Sequence, residues 1–361
     1  MQQKDRIFIE IIVGLSLITA AVYFFVGVEE ESIWPAGRVD IDSGMHVVMG
    51  TFARVVAVAT DSGTAQKCIE AALAEIEEID RLMSKYKSDS EISELNRDGF
   101  ARAVKVSKPT YEVLQRSIEF SKLSNGAFDV TVGPLMDLWH SAEEANTLPT
   151  DTELQQVHLK VGYDKLILDA NEESIRFAAE GMEVDLGGIA KGYAIDKAVE
   201  AIQKAGAIGG MVDIGGDIRC FGSPPRGENR WRIGLQDPEK AKDGFDAGTP
   251  LLVLNLLNVA VATSGHYRRF VTIGGKRYSH IVDPESGHSN ESLTSVTIIC
   301  PSAADADALA TAVSVMGADE GLALIESIPN TEAILITSMP EYKLIKTSGA
   351  EKYIELRGIL L

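Results

Sequence analysis

Apolar residues open the chain in a nearly unbroken block and then give way to alternating and helical patterns. The block is Ile7 to Val28, 22 residues with Glu10 as the sole charge. As a helix rising about 1.5 Å per residue it would extend roughly 33 Å, enough to cross the hydrocarbon core of a bilayer. Lys4 and Arg6 precede it and Glu29, Glu30 and Glu31 follow, so the positive-inside bias puts the N-terminus in the cytoplasm and the rest of the chain outside it. The residues after Ala21 are bulky (VYFFV) and no cysteine follows to take a lipid, which favours a retained signal anchor over a cleaved leader.

After a linker, Ser32 to Gly44, the stretch MHVVMGTFARVVAVAT alternates as a long strand or hairpin does. From Gly63 onward Ile69, Leu73, Ile76, Ile79 and Leu82 recur three and four residues apart, an amphipathic helix facing a core. SKYKSDSEISELNRDG is polar and turn-rich. The next helix runs from Pro109 to Leu123, with Ser107 available as a cap and Pro109 suited to a first turn, and it stops at Ser124, Asn125 and Gly126.

Short strands (KLILDA, SIRFAA, MEVDLG) come next, followed by a helix from about Ile189 to Lys204 that ends at Gly206. GMVDIGGDIRCFG, WRIGLQDP, LLVLNLLNVAVATSG and RRFVTIGG are short apolar runs broken by Gly, Pro and Asn, the pattern of antiparallel pairing. Helices over Ala303 to Gly317 and near Glu320 to Ile328, with strands AILITSM and YKLIKT, close the chain. No repeat is present, so the pattern predicts an α+β unit of largely antiparallel sheets with packed helices. The expected division is 1–31 for the cytoplasmic end and anchor, 32–44 for the linker and 45–361 for one large domain.

Composition narrows the function. With 361 residues, 45% apolar, the chain has ample material for a core. A net charge of −19 and no long basic run exclude a nucleic-acid surface. Cys68, Cys220 and Cys300 lie far apart in apolar surroundings without metal-type spacing, so they read as buried thiols.

Three segments carry candidate chemistry. In CPSAADADALATAVSVMG, Ser302 and Asp305 form a cap-like pair, and at roughly 100° per residue Asp307, Thr311 and Ser314 share a stripe opposite Leu309, Val313 and Met316. Asp307 and Thr311 offer a carboxylate and a hydroxyl to one hard cation, although on spacing alone a solvated helix face is the simpler reading. In EVDLGGIAKGYAID a strand passes through two glycines into a helix N-terminus, a natural place for phosphate, with Lys191 in that first turn and Asp185 ending the strand; lacking a P-loop or Rossmann glycine spacing, it reads equally as a plain glycine turn with an exposed lysine. In GKRYSHIVDPESGH a strand delivers His280 and Asp283 before a turn closing at Gly287, and a histidine there suits proton transfer or phosphate binding as well as a structural role. Taken singly, Asp129 and Tyr86 read as capping or packing residues, and Trp139 and Trp231 as core aromatics.

Taken in order, MGT (Met49 to Thr51), SKYKSDSEISELN, GAFDVTVGPLMDLW, VDLGGIAKGYAID, VDIGGDIRCFG, TSGHYRRF, HIVDPESG and CPSAADADALATAVSVMG resemble the FAD:protein FMN transferase family, ApbE, over nearly everything after Met45. The resemblance implies an ApbE-like, T-fold-related fold and a magnesium-dependent reaction. FAD is split at its pyrophosphate, AMP leaves, and FMN becomes ester-linked to a Thr or Ser hydroxyl of a redox protein. It also implies that Asp307 and Thr311 ligate the metal through side chains and Gly188 through its carbonyl, where the family often has Ala. Met49, Tyr86, Ala127, Phe128, Asp129, Asp185, Lys191, His280 and Ile281 match positions lining the FAD site. For the base that frees the acceptor hydroxyl, His280 with Asp283 in support is the expected choice. The family commonly has an acidic residue in the block that here reads TSGHY, with His266 in that place beside Ser264. Together with the anchor, the resemblance implies a periplasmic or extracytoplasmic catalytic domain on the inner membrane, acting on flavin-acceptor subunits of membrane redox complexes. An FAD pyrophosphatase and a non-catalytic tethered flavin binder are the rival functions.

Overall fold

The computed structural model describes residues 37–225, 228–241, 250–265, 270–340 and 342–355. The expected anchor, Ile7 to Val28, lies outside the described residues, as does His266. No helix among the described residues is long and apolar enough to cross a membrane.

The sheet begins inside the stretch expected to be a linker. β1 (Val39–Asp42) pairs antiparallel with β3 (Thr51–Ala59), and Asp42 takes an ion pair from Arg54, which fastens this edge. β2 (His46–Val48) folds back on β3 through Met49 and Gly50, so MHVVMGTFARVVAVAT is a hairpin. Both turn residues have positive φ, as a two-residue loop between twisted strands demands.

Helix α1 (Ser62–Met83) then crosses the sheet, capped by Asp61, and buries Ile69, Ile76, Ile79 and Leu82 as its periodicity predicts. The polar stretch after it is not simply a turn. Ser90 caps α2 (Glu91–Asp98), which drives Ile92 and Leu95 into the core. β4 (Val104–Lys105) leads to α3 (Lys108–Leu123), where Ser107 stands at the N-cap but spends its hydroxyl on Glu91. Two helices follow that hydrophobic periodicity did not reveal, α4 (Gly133–Ala145) and α5 (Asp151–His158), the latter begun by a Thr150–Glu153 capping box. β5 (Leu166–Asp169) and β6 (Ser174–Phe177) join β4 in a small antiparallel sheet.

MEVDLG, expected as a strand, forms only a single bridge, Val132 to Glu183. The Asn96 side chain supplies what a neighbouring strand would: its amide donates to the Val184 carbonyl at 3.0 Å and its oxygen accepts the Val184 N–H at 2.7 Å. The segment stays extended and leads directly into α6 (Ala190–Lys204).

Beyond α6 the strands are β7 (Gly209–Ile214), β8 (Asp217–Gly222), β9 (Trp231–Leu235), β10 (Leu252–Leu256), β11 (Val259–Gly265), β12 (Phe270–Ile273), β13 (Lys276–Ser279) and β14 (Leu293–Cys300). They are followed by α7 (Ala303–Met316), α8 (Ala318–Ser327), β15 (Glu332–Thr337) and β16 (Leu344–Lys346). The main sheet runs β1-β3-β7-β8-β11-β14-β15-β16, with β2 beside β3 and every pair antiparallel. Strand alternation divides its two faces. Val55, Ala57, Ala260, Ala262, Val296 and Ile298 pack with α1, α6 and α7, whereas Val56, Val58, Val261 and Ile299 meet Trp231 and the β9–β10 ribbon. A third cluster, built on Leu135, Trp139, Leu154, Val271, Ile273 and Val282, joins α4 and α5 to the β12–β13 hairpin. The three cysteines are buried free thiols, and burial pushes Cys220 and Cys300 up to about 12.

Candidate active site

α6 and α7 cross with almost nothing between them. A methyl on Gly192 would sit 2.2 Å from the Ala303 carbonyl oxygen, so glycine is needed for this approach. The α7 terminus is tied to α6 by Asp196, whose carboxylate accepts the Ala303 and Ala304 N–H groups at 2.9 and 3.0 Å and the Ser302 hydroxyl at 2.8 Å. Arg219 pairs with Asp196 from β8. Ser302 caps the helix, but Asp305 does not complete a reciprocal box; its carboxylate pairs with Arg116.

One turn into α7, Asp307 is 4% exposed, so the expectation of a solvated helix face is overturned: the small residues around it let α6 and the sheet close over that side. Its Oδ2 accepts the Gly192 N–H at 3.1 Å, and Lys191 Nζ lies 3.3 and 3.4 Å from its two oxygens. Burial pushes the Asp307 carboxyl up, to about 6, while Lys191 draws it down and the Asp217 charge raises it. The donor at the N-terminus of α6 that was expected to meet phosphate is thus partly taken by Asp307, and the Ala190 N–H by the Leu186 carbonyl.

Asp217, also 4% exposed, is the residue the sequence reading missed. Gly215 and Gly216, both at positive φ, turn β7 into β8 and set Asp217 at the start of the strand. Asp217 Oδ2 bonds Lys191 Nζ while its Oδ1 accepts the Thr263 N–H at 3.1 Å. The signal for it was the GGD turn within VDIGGDIRCFG.

Gly188 and Thr311 do come together: a methyl on Gly188 would lie 3.1 Å from Thr311 Oγ1 and 3.2 Å from the Phe128 ring. Phe128 is buried and meets Phe120 edge-on at 6.2 Å. Ser314 turns its hydroxyl back to the Ala310 carbonyl at 2.7 Å. Among the described residues no group of three or more His, Cys, Asp or Glu side chains is arranged to hold a metal. The donors here are instead one carboxylate, one hydroxyl and the neighbouring backbone. That hard-oxygen set fits magnesium, which takes few protein ligands and completes its shell with water and phosphate oxygens.

A second group of candidates gathers around Lys85, which the sequence reading also passed over. Lys85 Nζ lies 3.0 Å from Asp185 and 3.3 Å from Asp137 on α4. Burial would lower the Lys85 ammonium, but these two carboxylates hold it above its ordinary value. Asp185 also accepts the Gly187 N–H at 2.8 Å, which shapes the glycine turn before α6. Tyr86 is 81% exposed beside this lysine, its ring 5.6 Å from Lys85 Nζ. Met49, partly buried, holds the left-handed position of the β2–β3 turn, costly for a side chain of that size.

Asp129 is engaged by its own loop. It is buried, and its oxygens accept the Thr131 N–H and hydroxyl at 2.7 Å and the Tyr163 N–H at 2.8 Å. Burial raises its pKa, and those bonds oppose the rise. Asp129 therefore shapes the loop that presents Ala127, half-buried, and Phe128. Asp283 likewise serves its own turn, accepting the Glu285 N–H at 3.0 Å and the Ser286 hydroxyl at 2.7 Å. His280, half-buried, follows β13, and the neighbouring Ile281 is buried with its N–H on Ser279 Oγ at 3.0 Å. Trp139 is more than a core aromatic: its indole N–H donates to the Gly287 carbonyl at 2.9 Å and pins the turn after His280.

A cleft of about 350 Å³ lies elsewhere, between α3, α6 and the start of α7, with Glu112, Arg116, Tyr193, Lys197 and Asp305 in its wall. It contains none of the predicted site residues. Its cations are already paired, Arg116 with Asp305 and Glu119, and Lys197 with Glu112 and Glu200, so the Asp307 cluster is the better candidate.

Fold and site together define an α+β protein with a buried carboxylate, hydroxyl and ammonium cluster at a helix crossing, chemistry suited to a hard cation and phosphate oxygens. The chain belongs to the ApbE family, whose model matches residues 49–335. It is 37% identical over 295 residues to the FAD:protein FMN transferase of Vibrio cholerae, covering 81% of this chain and 82% of that one. To the enzyme of the same name from Haemophilus influenzae it is 33% identical over 301 residues, 81% and 84% of the two chains. The solved flavin transferase ApbE from Vibrio cholerae superposes with a TM-score of 0.75 at 32% identity, over 88% of this chain and all of that one.

Proposed function

We propose that the protein is an FAD:protein FMN transferase that uses magnesium. The observation that carries this reading is the Asp307, Lys191 and Asp217 cluster beside Gly188 and Thr311, in a family whose curated relatives bear that name. An acceptor hydroxyl attacks the FMN phosphorus of FAD, the bond to the AMP phosphate breaks, and AMP departs with the electron pair. Asp307 and Thr311, with the Gly188 carbonyl, hold the cation, which when bound neutralises the diphosphate charge. Lys191 offers a second positive charge to the phosphate oxygens, and the glycine turn shaped by Asp185 lets backbone approach them. His280 takes the hydroxyl proton; Asp283 and Trp139 hold the turn that positions it. Tyr86, Met49, Ala127, Phe128 and Ile281 form walls for the flavin and adenine.

Ile7 to Val28 anchors the chain in the inner membrane with residues 45–361 on the extracytoplasmic side, facing flavin-acceptor subunits of membrane redox complexes. Sharing one surface raises the effective concentration of enzyme and target without a tight interface. The test is to incubate the full-length chain with FAD and magnesium, with and without a candidate acceptor, and to follow AMP and a fluorescent acceptor band. AMP together with a labelled acceptor supports transfer. AMP without labelling would make it a pyrophosphatase, and FAD bound but intact a flavin binder.

A further inference from the structure

Lys191 is already engaged by carboxylates of its own chain, so a phosphate must compete for it. Its ammonium lies between two buried carboxylates that come from different elements, Asp217 at the start of β8 and Asp307 on α7. The sharing is unequal. Asp217 is the nearer partner, whereas the Asp307 distances of 3.3 and 3.4 Å exceed the roughly 2.7–2.9 Å of a tight charged hydrogen bond. Both carboxylates have a second anchor, Asp217 on the Thr263 N–H and Asp307 on the Gly192 N–H, each at 3.1 Å, so neither is free to follow the lysine.

We infer that Lys191 is an internal counter-ion that competes with the divalent cation for Asp307, and that Asp217 is the positioning residue that keeps the ammonium when the cation takes Asp307. This rests on the reading that Asp307 and Thr311 bind the cation. The physical reason for the arrangement is that a buried carboxylate without a countercharge is costly, so the lysine offsets part of the pair's charge before a cation arrives and leaves a net negative site for the cation. A consequence is coupling: a diphosphate that draws Lys191 away from Asp307 tightens cation binding, and by linkage the cation tightens diphosphate binding to the same degree.

The test is calorimetric titration of magnesium chloride into the FAD-free full-length chain, with a thermal melt to establish folding. Lys191→Met removes the competitor and is expected to tighten magnesium about tenfold or more, on the scale of one lost charged hydrogen bond. Asp217→Asn keeps the shape but removes the carboxylate charge that holds the ammonium back from Asp307, and is expected to weaken magnesium by about the same factor. Asp307→Ala abolishes the binding. If Asp307→Ala abolishes it but Lys191→Met leaves affinity unchanged or weaker, the competition is overturned and the cation assignment stands. Unchanged affinity in Asp307→Ala overturns both. Should Lys191→Met not fold, Asp217→Asn decides, since unchanged or tighter binding there contradicts the inference.

Discussion

The two halves of the proposed site are built on different foundations. Asp307, Lys191 and Asp217 stand on α7, α6 and β8, inside the main core, where the Gly192–Ala303 approach and the Asp196 cap leave the helices no room to slide. His280 instead follows a two-stranded hairpin outside the main sheet, held by Tyr278 of β13 packing on Trp139 of α4 and by the Trp139 bond to Gly287. The contrast suits the chemistry assigned to each. Balancing charge on a diphosphate needs fixed, water-poor electrostatics, whereas taking a proton from an incoming protein hydroxyl needs a group near the surface.

If the halves are separable, substitutions should divide along this line. His280→Ala is expected to lower FMN transfer by about 10²–10⁴-fold while leaving FAD affinity within several-fold, as read from acceptor labelling and flavin fluorescence. Near-normal transfer by this variant would remove His280 from the reaction and with it the second half. Gly192→Ala acts on the first half: a methyl facing the Ala303 backbone forces the helices apart, with about 1–3 kcal/mol lost in denaturant unfolding and magnesium binding weakened. Trp139→Phe is the smallest, removing the bond to the Gly287 carbonyl for about 0.5–1.5 kcal/mol. It should lower transfer while magnesium affinity of the FAD-free protein stays unchanged. A parallel fall in magnesium affinity would mean that the two halves are one.

How much of this could be read from the chain varies with the distance over which each feature is built. The hairpin at Met49 and the helices α1, α6 and α7 were legible because their periodicity is local and their buried faces continuous. α2 escaped because eight residues offer only Ile92 and Leu95 as buried positions, although Ser90 was there to cap it. α5 had a readable start in Thr150 and Glu153, which the search for apolar periodicity passed over. MEVDLG looked like a strand because its backbone is extended; that a side-chain amide 88 residues away would take the place of a partner strand is not a pattern a window can hold. The same holds in the site. Asp307 and Thr311 were found four residues apart, but Asp217 reaches Lys191 across 26 residues, and Lys191 reaches Asp307 across 116. The motif reading of Asp129 and Asp283 identified carboxylates that the fold uses on its own loops, which only their bonds to Tyr163, Glu285 and Ser286 reveal.

In the proposed reaction the buried carboxylate of α7 would hold the cation that neutralises the diphosphate. The most direct measurement is AMP release from FAD by Asp307→Ala, with acceptor and saturating magnesium present, in a variant whose melting transition shows that it is folded. Loss of release by about 10²-fold or more is the predicted result. Release at the wild-type rate from that folded variant would contradict the account.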